Sequence, residues 1–353
     1  MSGTTATSNA SSSSAPVIQD KMDYPSLAEG HAEPTVAHVK VVGLGVNVYG
    51  LKEACEQQKP LTMMIAAHGR MNSQKNMKYF AQGILGEVAK KDETHKKRNL
   101  VVVTLDQRNH GERIVDKTAN LSFDQNPRHL IDMAATIRTS LIKKQRTCTA
   151  LTCNLSEGGV HDIQLLMDFL PAYLFPHGEL TVEEWVITGI SLGGHVTWKL
   201  LHDDPRVQIG IPIIGLPFES LPKYLGARAL NNGLTWGPPT YPPSLQRMIE
   251  PFRDLTFEQK AYSGKKILTM HGKEDKLVPF GQGEGDIKQI EDWAEHGTEK
   301  GGICAIDVQD NVGHVCTVQM LKKAAEWTWR YALVDEEVGA DSALKEFFGK
   351  GNL

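Results

Sequence analysis

Gly189-Ile190-Ser191-Leu192-Gly193 sets a serine midway between two glycines, with the apolar run Trp185-Val186-Ile187 before it. A helix-like stretch, His195-Val196-Thr197-Trp198-Lys199-Leu200-Leu201, follows. That succession is the sequence form of a nucleophile elbow, a sharp strand-to-helix turn that pushes a serine hydroxyl toward a base and a substrate. Glycine is needed two residues to either side because a larger residue would collide with the neighbouring strand or helix. The pentapeptide alone is common; its strand and helix flanks make it specific.

A serine hydroxyl is a poor nucleophile at neutral pH and needs a base, itself oriented by an acid. After the strand-like run 266–270 comes His271-Gly272-Lys273-Glu274-Asp275-Lys276-Leu277-Val278-Pro279. After the run 303–308 comes Gln309-Asp310-Asn311-Val312-Gly313-His314. Each group lies just beyond the C-terminal end of a strand, the edge at which open α/β sheets bind ligands. Glu274 and Asp275 both stand as candidate acids, and Asp275 fits the spacing to Val278-Pro279 better. Asp307 and Asp310 read as loop-capping residues. His68 and His110 read as loop-fixing histidines, and His195 as the start of the elbow helix.

The elements that must position these groups alternate along the chain. Strand-like runs at 61–67, 100–105, 185–188, 207–214, 266–270 and 303–308 are mostly continuous in apolar residues, as in parallel strands buried on both faces. Between them lie helical patterns around 76–90, 130–143, 161–170, 192–202, 284–296 and 317–333. A first β region at 39–48 contains glycines that predict a bend or hairpin. The class expected is α/β, a mostly parallel sheet with helices on both faces. Residues 1–35 carry too few large apolar side chains to offset the entropy of ordering, and read as a flexible Ser/Thr-rich tail before a domain spanning 36–353. One connection, 216–263, is rich in proline and aromatic residues and reads as a lid insertion over the substrate.

Four landmarks now stand in order: His68-Gly69-Arg70 after a strand, Asp106-Gln107-Arg108-Asn109-His110-Gly111 (D-x-R-x-H-G), the elbow, and the H-G-x-x-D-x-x-V-P and Gly313-His314 loops. From about residue 37 the chain resembles the α/β-hydrolase superfamily. Within it, His110-Gly111-Glu112-Arg113 resembles bacterial esterases related to dienelactone hydrolases and prolyl oligopeptidases, although the dienelactone enzymes carry a cysteine where Ser191 stands. The resemblance implies Ser191 as nucleophile, His314 as general base and acid, and Asp275 as the residue that orients the imidazole. It further implies an oxyanion hole made by the backbone N–H groups of Leu192 and Arg70. The Arg70 side chain is open to two readings, a fork for a substrate carboxylate or a solvated structural arginine.

The function expected is hydrolysis of a carboxylic ester, lactone or thioester through an acyl-enzyme, acting on a small-molecule acyl substrate with no metal or organic cofactor. An acyltransferase, peptidase or lyase using the same triad, or a ligand-binding homologue without activity, are the alternatives. A formal net charge of −4 argues against a dedicated nucleic-acid binder. Five irregularly spaced cysteines without a C-x-x-C pair read as reduced thiols in a cytoplasmic protein. No apolar run reaches the roughly 18 residues of a membrane span. Oligomeric state is not written in the sequence.

Overall fold

The computed structural model describes residues 24–137, 158–249 and 255–338. Among these, one eight-stranded sheet runs in the order β1-β2-β4-β3-β5-β6-β7-β8. The strands are β1 (Val36–Val41), β2 (Leu44–Tyr49), β3 (Leu61–Ala67), β4 (Asn99–Leu105), β5 (Val182–Ile190), β6 (Ile209–Ile213), β7 (Lys266–Gly272) and β8 (Ile303–Gln309). The glycine-bearing first β region is an antiparallel hairpin, with Val36 opposite Tyr49 and Val41 opposite Leu44. β2 joins β4 antiparallel, and every pairing from β4 through β8 is parallel.

The central strands are continuous apolar runs because successive side chains enter two different cores. On β3, Met63 and Ile65 pack in one buried cluster and Met64 and Ala66 in the other, all fully buried. Helices Lys78–Ala89 and Val318–Thr328 pack against each other in the second cluster, and Gly159–Leu174 and Leu192–Asp203 cover the first. The predicted 130–143 helix is His129–Ile137 as far as it is described, and residues 138–143 lie outside the described residues.

One segment differs from the sequence expectation: residues 24–35 are not tail. Tyr24 and Leu27 are buried in the second core, and His31 Nε2 pairs with Glu87 at 3.2 Å. Two helix glycines clear the way: a Cβ on Gly83 would lie 2.2 Å from the Leu27 carbonyl oxygen, and one on Gly86 would lie 2.3 Å from His31 Nδ1. Two large side chains therefore suffice to anchor a stretch of otherwise polar composition; residues 1–23 lie outside the described residues. The Pro-rich connection holds three helices, Leu221–Asn231, Pro243–Ile249 and Leu255–Tyr262. Pro222 lies in the first turn of the first of these and Pro243 opens the second, as proline is tolerated in a first helical turn. The third helix packs on Leu192–Asp203 and on Glu284–His296, filling the crossover between β6 and β7.

Candidate active site

The sheet register brings the elbow and the first loop together. Ala67, the last residue of β3, pairs with Gly189 on β5, and Ile190 pairs with Ile213 on β6. Ser191 follows at φ 56° and ψ −108°, a left-handed backbone that costs about 1–3 kcal/mol in a non-glycine residue. The turn is over-determined by its neighbours. Ser191 N donates to the Ile213 carbonyl at 2.8 Å. A Cβ on Gly189 would lie 2.4 Å from the Gly193 carbonyl carbon, and one on Gly193 only 2.1 Å from the Ala67 oxygen. The two flanking glycines are what allow the strand and helix to close so tightly.

The acid and base arrive from β7 and β8, where Gly272 is paired with Gln309. Their loops are laced by Lys273 N to Gln309 O and Glu274 N to Val312 O, both at 2.9 Å. A Cβ on Gly272 would lie 2.3 Å from the carbonyl oxygens of both Val312 and Gly313, so the glycine of the His271-Gly272 pair is a contact requirement. The result is a continuous chain: His314 Nε2 lies 2.8 Å from Ser191 Oγ, and His314 Nδ1 lies 2.6 Å from Asp275 Oδ2. The other Asp275 oxygen accepts from Leu277 N at 2.8 Å and Val278 N at 2.9 Å. Burial pushes the Asp275 carboxyl upward, but the hydrogen bond and charge of His314 and the two backbone donors outweigh it. Its pKa lies below the ordinary carboxylate value, so it is anionic at neutral pH.

Of the competing acids, Asp310 pairs with Lys273 on the surface at 2.7 Å. Asp307 pairs with Lys323 in the interior at 3.0 Å, and the Glu274 backbone serves the loop lacing. None of the three takes the place beside His314.

Leu192 is the first residue of its helix, so its N–H has no intrahelical acceptor. Arg70 lies in the turn after β3, closed by Asn72 N to Gly69 O at 3.2 Å. Asp106 ties that turn to the one after β4: its carboxylate accepts from Gln74 N at 2.8 Å and Glu112 N at 3.0 Å. Gly111, at φ +55°, leaves the room; a Cβ there would lie 2.1 Å from Asp106 Oδ1. His68 is wholly buried, donates from Nδ1 to Gly69 O at 2.7 Å and accepts Gln107 N at Nε2 at 3.0 Å. Burial, then His110, lowers its pKa and keeps it neutral. His68 and His110 thus fix loops.

Two residues beside the site have no motif in the sequence. Tyr224 OH lies 3.0 Å from His195 Nε2, and His195 Nδ1 lies 2.7 Å from the Leu216 carbonyl. Burial lowers His195 to about 4, so the ring is neutral; its Nδ1 meets the Leu216 backbone, with the N–H also at 3.0 Å, and its Nε2 meets the phenol, so both ring nitrogens are satisfied in either tautomer. Arg228, one turn beyond Tyr224, donates to Ser122 Oγ at 2.7 Å. The only signal was the spacing Leu221, Tyr224, Leu225, Arg228, Ala229, an amphipathic helix inside the Pro-rich connection. Two surface clefts of about 440 and 480 Å³ lie elsewhere, one at the N-terminal end of β4 beside Asn99 and one over the β1–β2 hairpin; neither is lined by the triad.

No family model matches the chain, and no curated protein matches it in sequence. Solved structures do match. TT1662 from Thermus thermophilus is 18% identical over 84% of this chain and 97% of its own, at a TM-score of 0.55. An acylaminoacyl peptidase from Pyrococcus horikoshii is 15% identical over 90% of this chain, at a TM-score of 0.54. The chain spans only 44% of that peptidase's length. With the sheet order above, these likenesses establish the α/β-hydrolase fold.

Proposed function

We propose that the chain is a serine hydrolase that cleaves a carboxylic ester, lactone or thioester through an acyl-enzyme. The observation that carries the reading is the unbroken contact from Ser191 Oγ through the His314 ring to Asp275, at 2.8 and 2.6 Å, on a strained elbow. Ser191 Oγ attacks the acyl carbon while His314 Nε2 takes the hydroxyl proton, and Asp275 steadies the imidazolium that forms. The carbonyl oxygen becomes an oxyanion, met by the N–H groups of Leu192 and Arg70. Collapse expels the alcohol or thiol, protonated by His314, and water then repeats the sequence to release the acid. Tyr224, on the first helix of the 216–263 connection, is braced on the elbow helix through His195. A cytoplasmic location belongs to the same proposal, on the free thiols of Cys55 and Cys316.

The test is turnover of a 4-nitrophenyl ester series, acetate to decanoate, by wild type and Ser191→Ala, with a 4-nitroanilide series alongside. Ester hydrolysis lost in the variant supports the reading. Cleavage of anilides in preference to esters would move the assignment to a peptidase. A folded wild type that turns over neither, and whose Ser191 resists a fluorophosphonate, overturns it.

A further inference from the structure

We infer that Arg70 and Arg228 form an anion subsite beside Ser191, so that the substrate is an ester carrying a free carboxylate. The inference rests on the serine-hydrolase reading above and names the class of substrate for that site.

Both guanidinium groups are half-buried, and neither has a carboxylate within 4 Å among the described residues. Among the described residues their hydrogen-bonding contacts are all with neutral groups. Arg70 Nη1 donates to the Asn120 carbonyl at 2.7 Å and lies 3.4 Å from His129 Nδ1. Arg228 Nη2 donates to Ser122 Oγ at 2.7 Å. Each arginine is thus pinned by one end to the stretch 120–129, leaving Nε and Nη2 of Arg70 and Nε and Nη1 of Arg228 without a hydrogen bond among the described residues. Nε and Nη2 of Arg70 share an edge and can grip a carboxylate side-on, while Nε and Nη1 of Arg228, on either side of its Cδ, each offer a single donor to the same anion.

Among the described residues the surrounding charges leave the pair uncompensated. Negative charge reaches Arg228 from Asp275, engaged by His314 and two backbone donors, and from the exposed Asp124. His129, wholly buried beside Arg70, is kept neutral by burial and then by the two arginines. Tyr224 stays a phenol because burial raises its pKa. Burial, then the charge of Arg228, pushes Arg70 down to about 10. Two like charges held together in a half-buried notch are destabilised until an anion joins them.

Position ties the notch to the reaction. Arg70 follows β3 in the turn that offers an oxyanion donor. Arg228 stands one helical turn from Tyr224, whose hydroxyl meets His195 on the elbow helix, and His195 N donates to the Ser191 carbonyl at 3.0 Å. An anion in the notch therefore belongs to a molecule that can also reach the nucleophile.

The experiment compares mono-(4-nitrophenyl) glutarate with neutral 4-nitrophenyl hexanoate. Wild type is expected to favour the anionic ester at least tenfold in kcat/KM. Arg228→Gln, which keeps a donor for Ser122, should cut that ratio at least tenfold, chiefly through KM, and Arg228→Lys should restore part of it. A wild-type ratio near one, or a ratio unmoved in a folded Arg228→Gln, overturns the inference while hydrolysis of hexanoate still supports the hydrolase reading. If neither ester reacts, titration calorimetry with glutarate reads the notch without turnover. Binding by wild type that weakens in Arg228→Gln supports the subsite, and no binding overturns it. Competitive binding of inorganic phosphate with none of glutarate would overturn the carboxylate assignment.

Discussion

Gly193 approaches Ala67 so closely that a Cβ on the glycine would lie 2.1 Å from the Ala67 carbonyl oxygen. The last residue of β3 and the helix behind the nucleophile thus share a space that only hydrogen fits. Leu192 adjoins this contact and Arg70 follows it in the same turn, so on the proposed function the same closeness would set the spacing of the two oxyanion donors.

Gly193→Ala should therefore fail in two measurements. The clash is with backbone, so strand or helix must shift, at a cost of about 1–3 kcal/mol or more. Urea denaturation should record that loss, and ester turnover should fall at least a hundredfold. Gly45→Ala is the control, since no atom lies within 4 Å of a Cβ there and its φ is ordinary. It should leave both measurements within error. Full activity in folded Gly193→Ala would refute this account of the elbow.

The triad should behave as one unit. Ser191→Ala and His314→Ala are each expected to lower kcat by about four orders of magnitude or more, and the double variant should be no worse than either single one. Asp275→Asn keeps the shape, but with its oxygen held by Leu277 N and Val278 N it turns an NH2 donor toward His314 Nδ1 and selects the wrong tautomer, for a loss of about 10³- to 10⁴-fold. Losses that add across the double variant would mean the residues act separately.

Much of this site was legible because its signals are steric and local. Gly189, Gly193, Gly111 and Gly272 sit in motifs, and at each the structure supplies the atom that a side chain would strike. The positions of Ser191, Asp275 and His314 follow from strand ends, which continuous apolar runs announce. Tyr224 and Arg228 were hidden because their neighbours are set by how one helix folds over the sheet, not by anything adjacent in sequence. The anchoring of Tyr24 and Leu27 was hidden for a related reason. Composition averages over a window, whereas two buried side chains, with Gly83 making room for the Leu27 carbonyl and Gly86 for the His31 ring, are enough to hold a segment.

His202 gives stability a pH dependence. It bridges Asp203 at 2.5 Å and Glu258 at 3.1 Å; burial lowers its pKa, but these two carboxylates more than reverse that and raise it to about 9. A histidine raised on folding stabilises fully below its unfolded value near 6.5 and loses that contribution as pH climbs through 9. The whole effect is on the order of 3 kcal/mol, with about half lost by pH 8. Above pH 8 the buried Lys265, pushed down to about 8 by burial, works in the opposite direction, because the unfolded chain then binds the extra proton. Buried histidines with lowered values, among them His68, His129 and His195, gain stability between pH 6.5 and 8 as their unfolded forms lose the proton, so the informative quantity is the difference between wild type and His202→Gln. The stability advantage of wild type over His202→Gln should shrink as pH rises from 6.5 to 8. A difference that stays constant across that range would remove His202 as a cause of pH dependence.

Lys323 and Asp307 form an ion pair 3.0 Å apart with both side chains fully buried, joining helix Val318–Thr328 to β8. Gln309 Nε2 also donates to Asp307 at 2.9 Å, and Gln309 Oε1 accepts from Thr317 Oγ1 at 2.8 Å. The pair and its neighbours thereby close the two ends of the loop that carries His314. Removing one charge leaves the other buried alone, so Lys323→Met should cost about 3–5 kcal/mol in urea denaturation. Replacing both, as Asp307→Leu with Lys323→Met, should recover most of that stability because the desolvation cost disappears with the charges. Turnover separates the two roles. If the pair merely fills the interior, the double variant regains activity with its stability. If the pair aims the loop through Gln309, the double variant stays stable while kcat remains depressed. The Asp307–Gln309–Thr317 connection favours the second outcome.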